Sequence, residues 1–491
     1  MPILIAALAL LLGAALAGCS IPLPWSFLAP VPLAFLFAFV AAAPTPKNGA
    51  WRAFLAGFAF FTLHLMWLPE SFGAGFGPFG VVMFLPVFAL LGVFVALLAF
   101  VTSSLTSAWW ARVWLLAFGW VLVEWLRHLG PLAFPWGTLG YTTLPTPAVQ
   151  IADLGGVLLL SLLVTSTGAT LAMLVRREWR PLVPMTLLWL GALGYGASRT
   201  LPQGEPGRAL LLRTTFAQFE KVFDFDAYWN QQLALTSQVQ PGELVVWSET
   251  SVLSPAWIDR LPNRPMITGV NYSNSDGSWS NSVISWNDGV LARGDKVKLV
   301  PFGEYSPLAR ELRPVYDFFY TRFVGAPFTV RRPGTDMRPL PLEGRAYGAY
   351  ICYESVFGAL TAKLAREGAE VLVNVSNDGW FNPLGVAQHF AMGRVRAIET
   401  RRYVLRSVNL GVAGVVDPLG RPGTTFDGPS SGVVHARFDF LSAETPYTRF
   451  GDLPVVLLSA ALALATLFLA RRASPQESSK QRLWYRGRGE G

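Results

Sequence analysis

Nearly uncharged runs of about 18 to 25 residues recur along this chain, each of a length that crosses the hydrocarbon core of a bilayer as one helix. Only 14% of the 491 residues are charged, against roughly 25% in soluble domains, and the deficit is concentrated in these runs. An ordinary soluble protein is thereby excluded. Eight apolar stretches stand out, at about 3–20, 22–43, 51–69, 79–103, 110–127, 147–175, 180–198 and 453–470. Several contain Gly and Pro, which membrane helices tolerate.

Between the seventh and eighth stretches the composition becomes mixed, and residues 206–442 are enough to bury a core of their own. The chain therefore divides into a membrane part (1–205), a globular part (206–442), and a final span with a basic tail (443–491). The net charge of +8 belongs largely to the flanks of the apolar runs and to the tail, so topology explains it better than nucleic acid does. Lys47 and Arg52, Arg112, the group Arg176, Arg177 and Arg180, and the tail residues Arg471, Arg472, Lys480, Arg482, Arg486 and Arg488 all fall on one side of an eight-span arrangement. The positive-inside rule makes that side cytoplasmic and puts the globular part on the outer side of the membrane. Arg127 and His128 are mild exceptions on the outer side, and one of them is expected to meet lipid headgroups.

Leu16-Ala17-Gly18-Cys19 resembles a lipoprotein signal, but no Lys or Arg precedes the apolar stretch, so it reads as a plain first helix. Cys19 and Cys352 are far apart, and His64, His128, His389 and His435 show no ligand spacing with them. Neither a disulfide framework nor a zinc site is expected, and no cofactor is implied. Glu124 and Asp153 are the main acidic residues in or near the spans and form no relay, which argues against a transporter.

In the globular part, short β-rich runs at 244–247, 266–270, 282–286, 346–351, 371–375, 403–408 and 433–438 alternate with helical composition at 359–368 and 387–401. That pattern predicts a layered α/β domain. The polar tail from Ala473 onward is expected to be disordered. Three reactive residues stand at or near ends of apolar runs: Glu249, Lys296 and Cys352. Singly each has a bland reading, since a buried Cys is usually a small hydrophobe and a strand-end Glu or loop Lys is usually solvated. A Cys352–His389 pair is a competing catalytic idea, made redundant if Glu249 and Lys296 supply base and oxyanion donor.

As a set they are more specific. Glu249, Lys296 eight residues before the Glu of Pro301-Phe302-Gly303-Glu304, and Cys352-Tyr353-Glu354 resemble the Glu, Lys and Cys triad of the nitrilase superfamily. Asn374-Val375-Ser376-Asn377-Asp378-Gly379-Trp380-Phe381, Gln388-His389, Arg394-Val395-Arg396-Ala397-Ile398-Glu399, and, after the fifth span, Phe134-Pro135-Trp136 with Gly140-Tyr141 narrow the likeness. With eight spans the chain is similar to the bacterial apolipoprotein N-acyltransferase family, the membrane-embedded branch of that superfamily. The resemblance implies a four-layer αββα sandwich on an α-helical membrane bundle. It also implies transfer of an acyl chain from a phospholipid to the α-amine of a diacylglyceryl-cysteine on an apolipoprotein, by way of a thioester. Cys352 would be the nucleophile, Glu249 the general base and acid, and Lys296 an oxyanion donor. Glu304, Tyr353 and Glu354 match positions that orient the triad or its pocket, and Asn281 a similar supporting position. Trp136 fits two readings, the mouth of an acyl-chain groove or an interfacial belt.

The sequence departs from the family's pattern at one place. In 214–223 an Asn and a Trp are common; here Gln218 fits, the Asn is absent, and Val222 takes the Trp position with Phe219 and Phe223 nearby, which bears on the gate. Two other classes compete: a membrane-tethered amidase or nitrilase acting on a small C–N substrate, and a catalytically dead scaffold, which would not need all three triad residues.

Overall fold

A computed structural model describes residues 2–73, 79–217, 224–324 and 328–486. Its first 200 residues are helical: α1 (Pro2–Gly18), α2 (Pro30–Ala41), α3 (Pro46–His64), α4 (Trp67–Gly73), α5 (Phe79–Leu105), α6 (Trp109–Leu126), α7 (Ala152–Leu174) and α8 (Leu182–Ala197). Their outward faces are apolar, with Val82, Leu90, Leu97, Leu187 and Leu190 exposed, the reverse of a soluble surface. The eight expected spans are met only in part. Among the described residues, Val82–Leu105, Pro147–Leu174 and Leu453–Ala473 are long and apolar enough to cross a membrane. Pro2–Gly18, Ser26–Ala41 and Leu182–Ala197 are apolar but shorter, while α3 and α6 carry Lys47, Arg52, Arg112 and Glu124. The difference is physical: an apolar stretch read from sequence includes the turns at its ends, and only its helical part, at about 1.5 Å per residue, adds span.

The globular part contains β1 (Glu205–Thr214), α9 (Phe225–Thr236), β2 (Leu244–Val246), β3 (Met266–Ser273), β4 (Trp279–Trp286), β5 (Val290–Asp295), α10 (Arg313–Phe319), β6 (Leu340–Leu342), β7 (Arg345–Ile351), α11 (Gly358–Arg366), β8 (Val371–Asn377), α12 (Pro383–Thr400), β9 (Val404–Asn409), β10 (Ala413–Val416), β11 (Pro422–Phe426) and β12 (Gly432–Phe440). After it come α13 (Pro446–Phe450) and α14 (Leu453–Arg486). The strands run in the order β5-β4-β3-β2-β1-β9-β8-β7-β6. At the centre, β1 and β9 meet over only two residue pairs, Arg213 with Val408 and Thr214 with Asn409, so the sheet folds back on itself there. Its halves face each other across a shared core that includes Leu211, Val246, Ile267, Val373 and Leu405. Alternate residues of the same strands point outward, Leu210 and Val245 against Trp229 of α9, and Leu372 against Leu364 of α11 and Ala397 of α12. That is the expected helix–sheet–sheet–helix layering, built from one seamed sheet. Seven strands lie where β-rich runs were read; β1, β5, β6, β10 and β11 were not anticipated. The tail also differs from expectation. Helix α14 continues to Arg486, because the segment after Ala473 contains helix-favouring Gln, Glu, Lys, Arg and Leu and its polarity does not break a helix.

The two halves interlock at a kink in α7. Gly155 and Gly156 leave helical geometry there, Gly156 at φ +67°, and a Cβ on Gly156 would fall 2.3 Å from the Tyr447 ring. The freed Val157 N–H is taken by the Glu399 carboxylate of α12 at 3.0 Å, which answers the need to satisfy every backbone group at a helix break. Beside it Arg401, the left-handed C-cap of α12, donates to Asp153 at 2.6 Å, to the Gln150 side chain at 2.6 Å and to the Gln150 carbonyl at 3.1 Å. Tyr195 of α8 donates to Asp153 at 2.9 Å.

This clamp sets a stability difference. Arg401→Ala strands the largely buried Asp153 and is expected to cost about 3–5 kcal/mol, lowering the thermal unfolding midpoint in detergent by several degrees. Arg313→Ala breaks an exposed pair with Asp317 and should cost under about 1 kcal/mol. Equal midpoints for the two variants would contradict the assignment.

Candidate active site

Strands β2, β5 and β7 run in the same direction: β2 is parallel to β3 and β1, β5 returns through antiparallel β4, and β7 joins the parallel run through β8 and β9. Glu249 follows β2, Lys296 follows β5 and Cys352 follows β7, so all three emerge at carboxyl ends on one edge of the sheet, where α/β folds present reactive groups. The structure brings the three together. All are buried, at 5%, 1% and 4% exposure.

Lys296 is the hub. Its Nζ lies 3.3 Å from Glu249 Oε1 and 2.8 Å from Glu304 Oε2. Burial opposes the ammonium, but the two carboxylates outweigh that cost and hold its pKa well above the ordinary lysine value. Glu304 is disfavoured by burial too, yet the Lys296 charge carries its pKa below the usual carboxylate value. Asn281 of β4 donates through Nδ2 to Glu249 at 2.7 Å and to Glu304 at 3.3 Å, and its carbonyl accepts the Lys296 backbone N–H at 2.8 Å. A glycine makes room for Glu249: a Cβ on Gly269 of β3 would lie 2.6–2.8 Å from the backbone of Ser248, Glu249 and Thr250.

Cys352 sits in the left-handed region at φ +48° between β7 and the 3-10 helix Cys352–Val356, a sharp strand-to-helix turn that costs backbone energy and needs support. Burial first, then the Glu249 charge, raise the thiol pKa; Lys296 opposes them without reversing the shift. The resting sulfur is therefore a neutral thiol, because the nearby Lys296 charge does not outweigh burial and Glu249. Glu354 ties the turn to the lysine: its carboxylate accepts from Ile351 N at 2.8 Å, Val297 N at 2.7 Å and Lys298 N at 3.2 Å. Burial pushes the Glu354 pKa up to about 7 despite those bonds.

Tyr353 and Trp136 join this turn to the helical half. The Tyr353 hydroxyl donates to the Ala133 carbonyl at 2.6 Å, and its ring stacks on Trp136 at 5.8 Å. Trp136 is 1% exposed, touches Phe134 and Trp67, and donates to Gln388 Oε1 at 3.2 Å. It lines neither an open groove mouth nor an interfacial belt, since the ring is enclosed between the two halves. Arg127 is likewise buried, donating to the Phe134 and Trp136 carbonyls, and His128 donates to the Glu124 carbonyl at 2.8 Å. Both are turned into the protein instead of toward headgroups. Gln218, Phe219, Val222 and Phe223 lie outside the described residues.

His389 does not face the Cys352 sulfur. Its Nε2 lies 2.6 Å from Ser355 Oγ and 3.2 Å from the Cys352 carbonyl oxygen, and its Nδ1 lies 3.0 Å from Asp378. Arg406 donates to Asp378 at 2.5 Å and to Asn374 at 2.6 Å. Sequence reading quoted Asp378 only as a signature residue, weighed His389 also as a catalytic partner of Cys352, and missed Ser355 and Arg406; the available signal was a charged residue inside the apolar run of β9. Among the described residues no group of His, Cys, Asp and Glu could hold a metal ion.

Relatives align with this arrangement in both halves. Residues 12–170 match the model of the apolipoprotein N-acyltransferase N-terminal domain, and residues 264–442 match that of the carbon-nitrogen hydrolases. The apolipoprotein N-acyltransferase of Nitrosomonas europaea is 32% identical over 477 residues, covering 89% of this chain and 93% of that protein. That of Chromobacterium violaceum is 31% identical over 505 residues, covering 96% and 95%. Among solved structures, Nit3 of Saccharomyces cerevisiae, a nitrilase-superfamily member, is 19% identical, covering 49% of this chain and 92% of that one with a TM-score of 0.36. Because both parts are matched in order and the relatives align over nearly their whole length at this identity, the chain belongs to the apolipoprotein N-acyltransferase family of the nitrilase superfamily.

Proposed function

We propose that this chain moves an acyl group from a phospholipid to the free α-amine of a diacylglyceryl-modified cysteine at an apolipoprotein N-terminus, through a thioester on Cys352. The observation that carries this reading is the buried Lys296 ammonium held between Glu249 and Glu304 beside Cys352, at the edge of the sheet that meets the apolar helices. In the first half-reaction Glu249 takes the thiol proton as Sγ attacks the ester carbonyl carbon. Lys296 Nζ receives the oxyanion, with the unpaired first N–H groups of the 3-10 helix that begins at Cys352, a contribution of about 2.7–4 kcal/mol per donor. The intermediate collapses by breaking the ester C–O bond, Glu249 returns its proton to the departing lysophospholipid oxygen, and the acyl group stays on sulfur. In the second half-reaction the acceptor amine attacks the thioester, Glu249 takes an amine proton and passes it to the leaving sulfur, and an amide forms. Glu304 and Asn281 hold Lys296 and Glu249 in register, Glu354 fixes the turn relative to Lys296, and Tyr353 with Trp136 seats the turn on the helical half.

Both substrates are anchored in lipid, which gives the helices their role. In this reading all eight apolar helices span the inner membrane, residues 206–442 form an extracytoplasmic catalytic domain, and 1–205 with 443–491 form the membrane part and basic tail. The packing of the basic residues supports one shared cytoplasmic end: Arg112 donates to the Ala41, Ala43 and Ser103 carbonyls, and Arg176 lies 4.3 Å over the Trp109 ring.

Intact mass after incubation with phosphatidylethanolamine tests the transfer. The native chain is expected to gain one acyl chain that hydroxylamine removes, and Cys352→Ala to gain none. Hydrolysis of a small amide with no adduct would leave a tethered amidase. Alkylation tests the electrostatics. Because burial and Glu249 raise the Cys352 pKa, the rate of reaction with iodoacetamide should still be climbing at about pH 10.5, where a free thiol of pKa about 8.5 has levelled off. Lys296→Met removes a nearby cation that lowers this pKa, so alkylation should slow further at any given pH; a faster reaction would refute the sign.

A further inference from the structure

Behind the Cys352 turn lies a buried polar chain that the proposed cycle does not use: Arg406, Asp378, His389 and Ser355, at 3%, 0%, 0% and 0% exposure. Its end meets the nucleophile at the backbone instead of the sulfur. His389 Nε2 stands 3.2 Å from the Cys352 carbonyl oxygen and 2.6 Å from Ser355 Oγ. A carbonyl oxygen only accepts, so Nε2 carries a hydrogen toward Cys352, and the Asp378 carboxylate, which also only accepts, takes the hydrogen of Nδ1 on the other side of the ring. The other ring nitrogen, Nδ1, lies 3.0 Å from Asp378 Oδ1 and 3.2 Å from Arg406 Nη2, and Asp378 is itself held by Arg406 at 2.5 Å and by Ser376 Oγ at 2.8 Å. From the helical half, the Trp136 ring stacks on the imidazole at 6.2 Å, and Phe381 packs on it at 5.1 Å. The ring is thus fixed in plane and depth.

We propose that His389 is a positioning residue for the transfer: its Nε2–H bonds the Cys352 carbonyl, holds Cys352 in its left-handed turn, and polarises the Cys352–Tyr353 peptide at the opening of the helix that receives the oxyanion. The peptide group is one conjugated unit, so a hydrogen bond to its carbonyl oxygen draws charge from the nitrogen and strengthens the Tyr353 N–H as a donor. A left-handed φ at a residue with a side chain costs energy and persists only where the surroundings over-determine it. Here Glu354 fixes the turn through the Ile351 N–H on one side, and His389 fixes it through the Cys352 carbonyl on the other. Ser355 shares the same Nε2–H, so it competes with the carbonyl.

The inference rests on Cys352 as the nucleophile, and the test separates the two. His389→Gln places an amide N–H at about the depth of Nε2, whereas His389→Asn reaches only the depth of Nδ1. Both are polar and neutral, and their unfolding midpoints in detergent are expected to be alike. With phosphatidylethanolamine in mixed micelles, acyl-adduct formation followed by intact mass should be about tenfold or more slower at saturating donor in His389→Asn. The donor KM should stay within about twofold of the native value, and His389→Gln should keep most of the native rate. Ser355→Ala, a milder change, leaves Nε2–H wholly to the carbonyl and should hold or raise the rate. Equal rates in the Asn and Gln variants, a loss confined to KM, or a tenfold fall in Ser355→Ala would overturn the role while leaving the thioester intact. Equal inactivity of Asn and Gln with a lost acid limb in the pH profile would make His389 a base and overturn it as well. Absence of any adduct on the native chain would end the thioester reading and this inference with it.

Discussion

A lysine ammonium at 1% exposure cannot stay charged on its own, and the Lys296 pair of carboxylates is the constraint around which the globular part is arranged. Glu249 comes from the end of β2 and Lys296 from the end of β5, while Glu304 comes from the turn whose Val300 N–H it caps at 3.0 Å. Bringing them together requires the β3–β4–β5 meander to return alongside β2 in the right register, and Asn281 on β4 bonds to both carboxylates and to the Lys296 backbone. Loss of one carboxylate would leave a buried charge half compensated, which is far costlier than loss of a surface pair.

Cys352 arrives from the other half of the sheet, across the narrow β1–β9 seam, so its placement depends on contacts that bridge parts of the chain far apart in sequence. Glu354 bonds the turn to the Lys296 segment, Tyr353 bonds it to Ala133 of the helical half, and His389 bonds it to the Asp378–Arg406 chain. Gln388 accepts from both Trp67 and Trp136 and donates to the His64 carbonyl, placing the neighbour of His389 at the junction of three helices. The turn is therefore seated on the helical half at the same place where it is oriented for chemistry.

Much of this was legible in the sequence because the chemistry-bearing residues interrupt apolar runs. Glu249, Lys296 and Cys352 stood out at or near run ends, and six of the seven runs that became strands are largely buried on both faces and so read as near-continuous hydrophobics, while 433–438 alternates buried residues with exposed His435 and Arg437. Most of the missed strands are exposed, polar at one end or very short, and β10, although buried throughout, is only four residues long. β5 and β11 are partly or wholly exposed and polar, β1 opens with exposed Glu205 and Pro206, and β6 is three residues long with Pro341 in the middle. Trp136 was legible as important but not as buried, since burial comes from stacking against Tyr353 and His389, 217 and 253 residues further along the chain by their numbers, 353 − 136 and 389 − 136. Apolar helices lie where the stretches were read, but among the described residues only three are long and apolar enough to cross a membrane, because composition marks where a helix is apolar and not where its ends turn.

The charge balance of the site explains how one base can serve both half-reactions of the proposed cycle. At rest one ammonium faces two carboxylates, leaving an excess negative charge that, with burial, keeps Cys352 protonated. When Glu249 takes a proton it becomes neutral, and its attraction for Lys296 falls at the moment an oxyanion appears on the substrate. Proton capture and oxyanion stabilisation are then one electrostatic event: Lys296 exchanges a carboxylate partner for the oxyanion, with Glu304 holding its position through 2.8 Å contact. Collapse of the intermediate returns the proton from Glu249 and the ammonium to its resting pair. The incoming amine meets the same balance as the departing ester oxygen did, which lets a single fixed ammonium and a single mobile proton carry the acyl chain onto sulfur and off again.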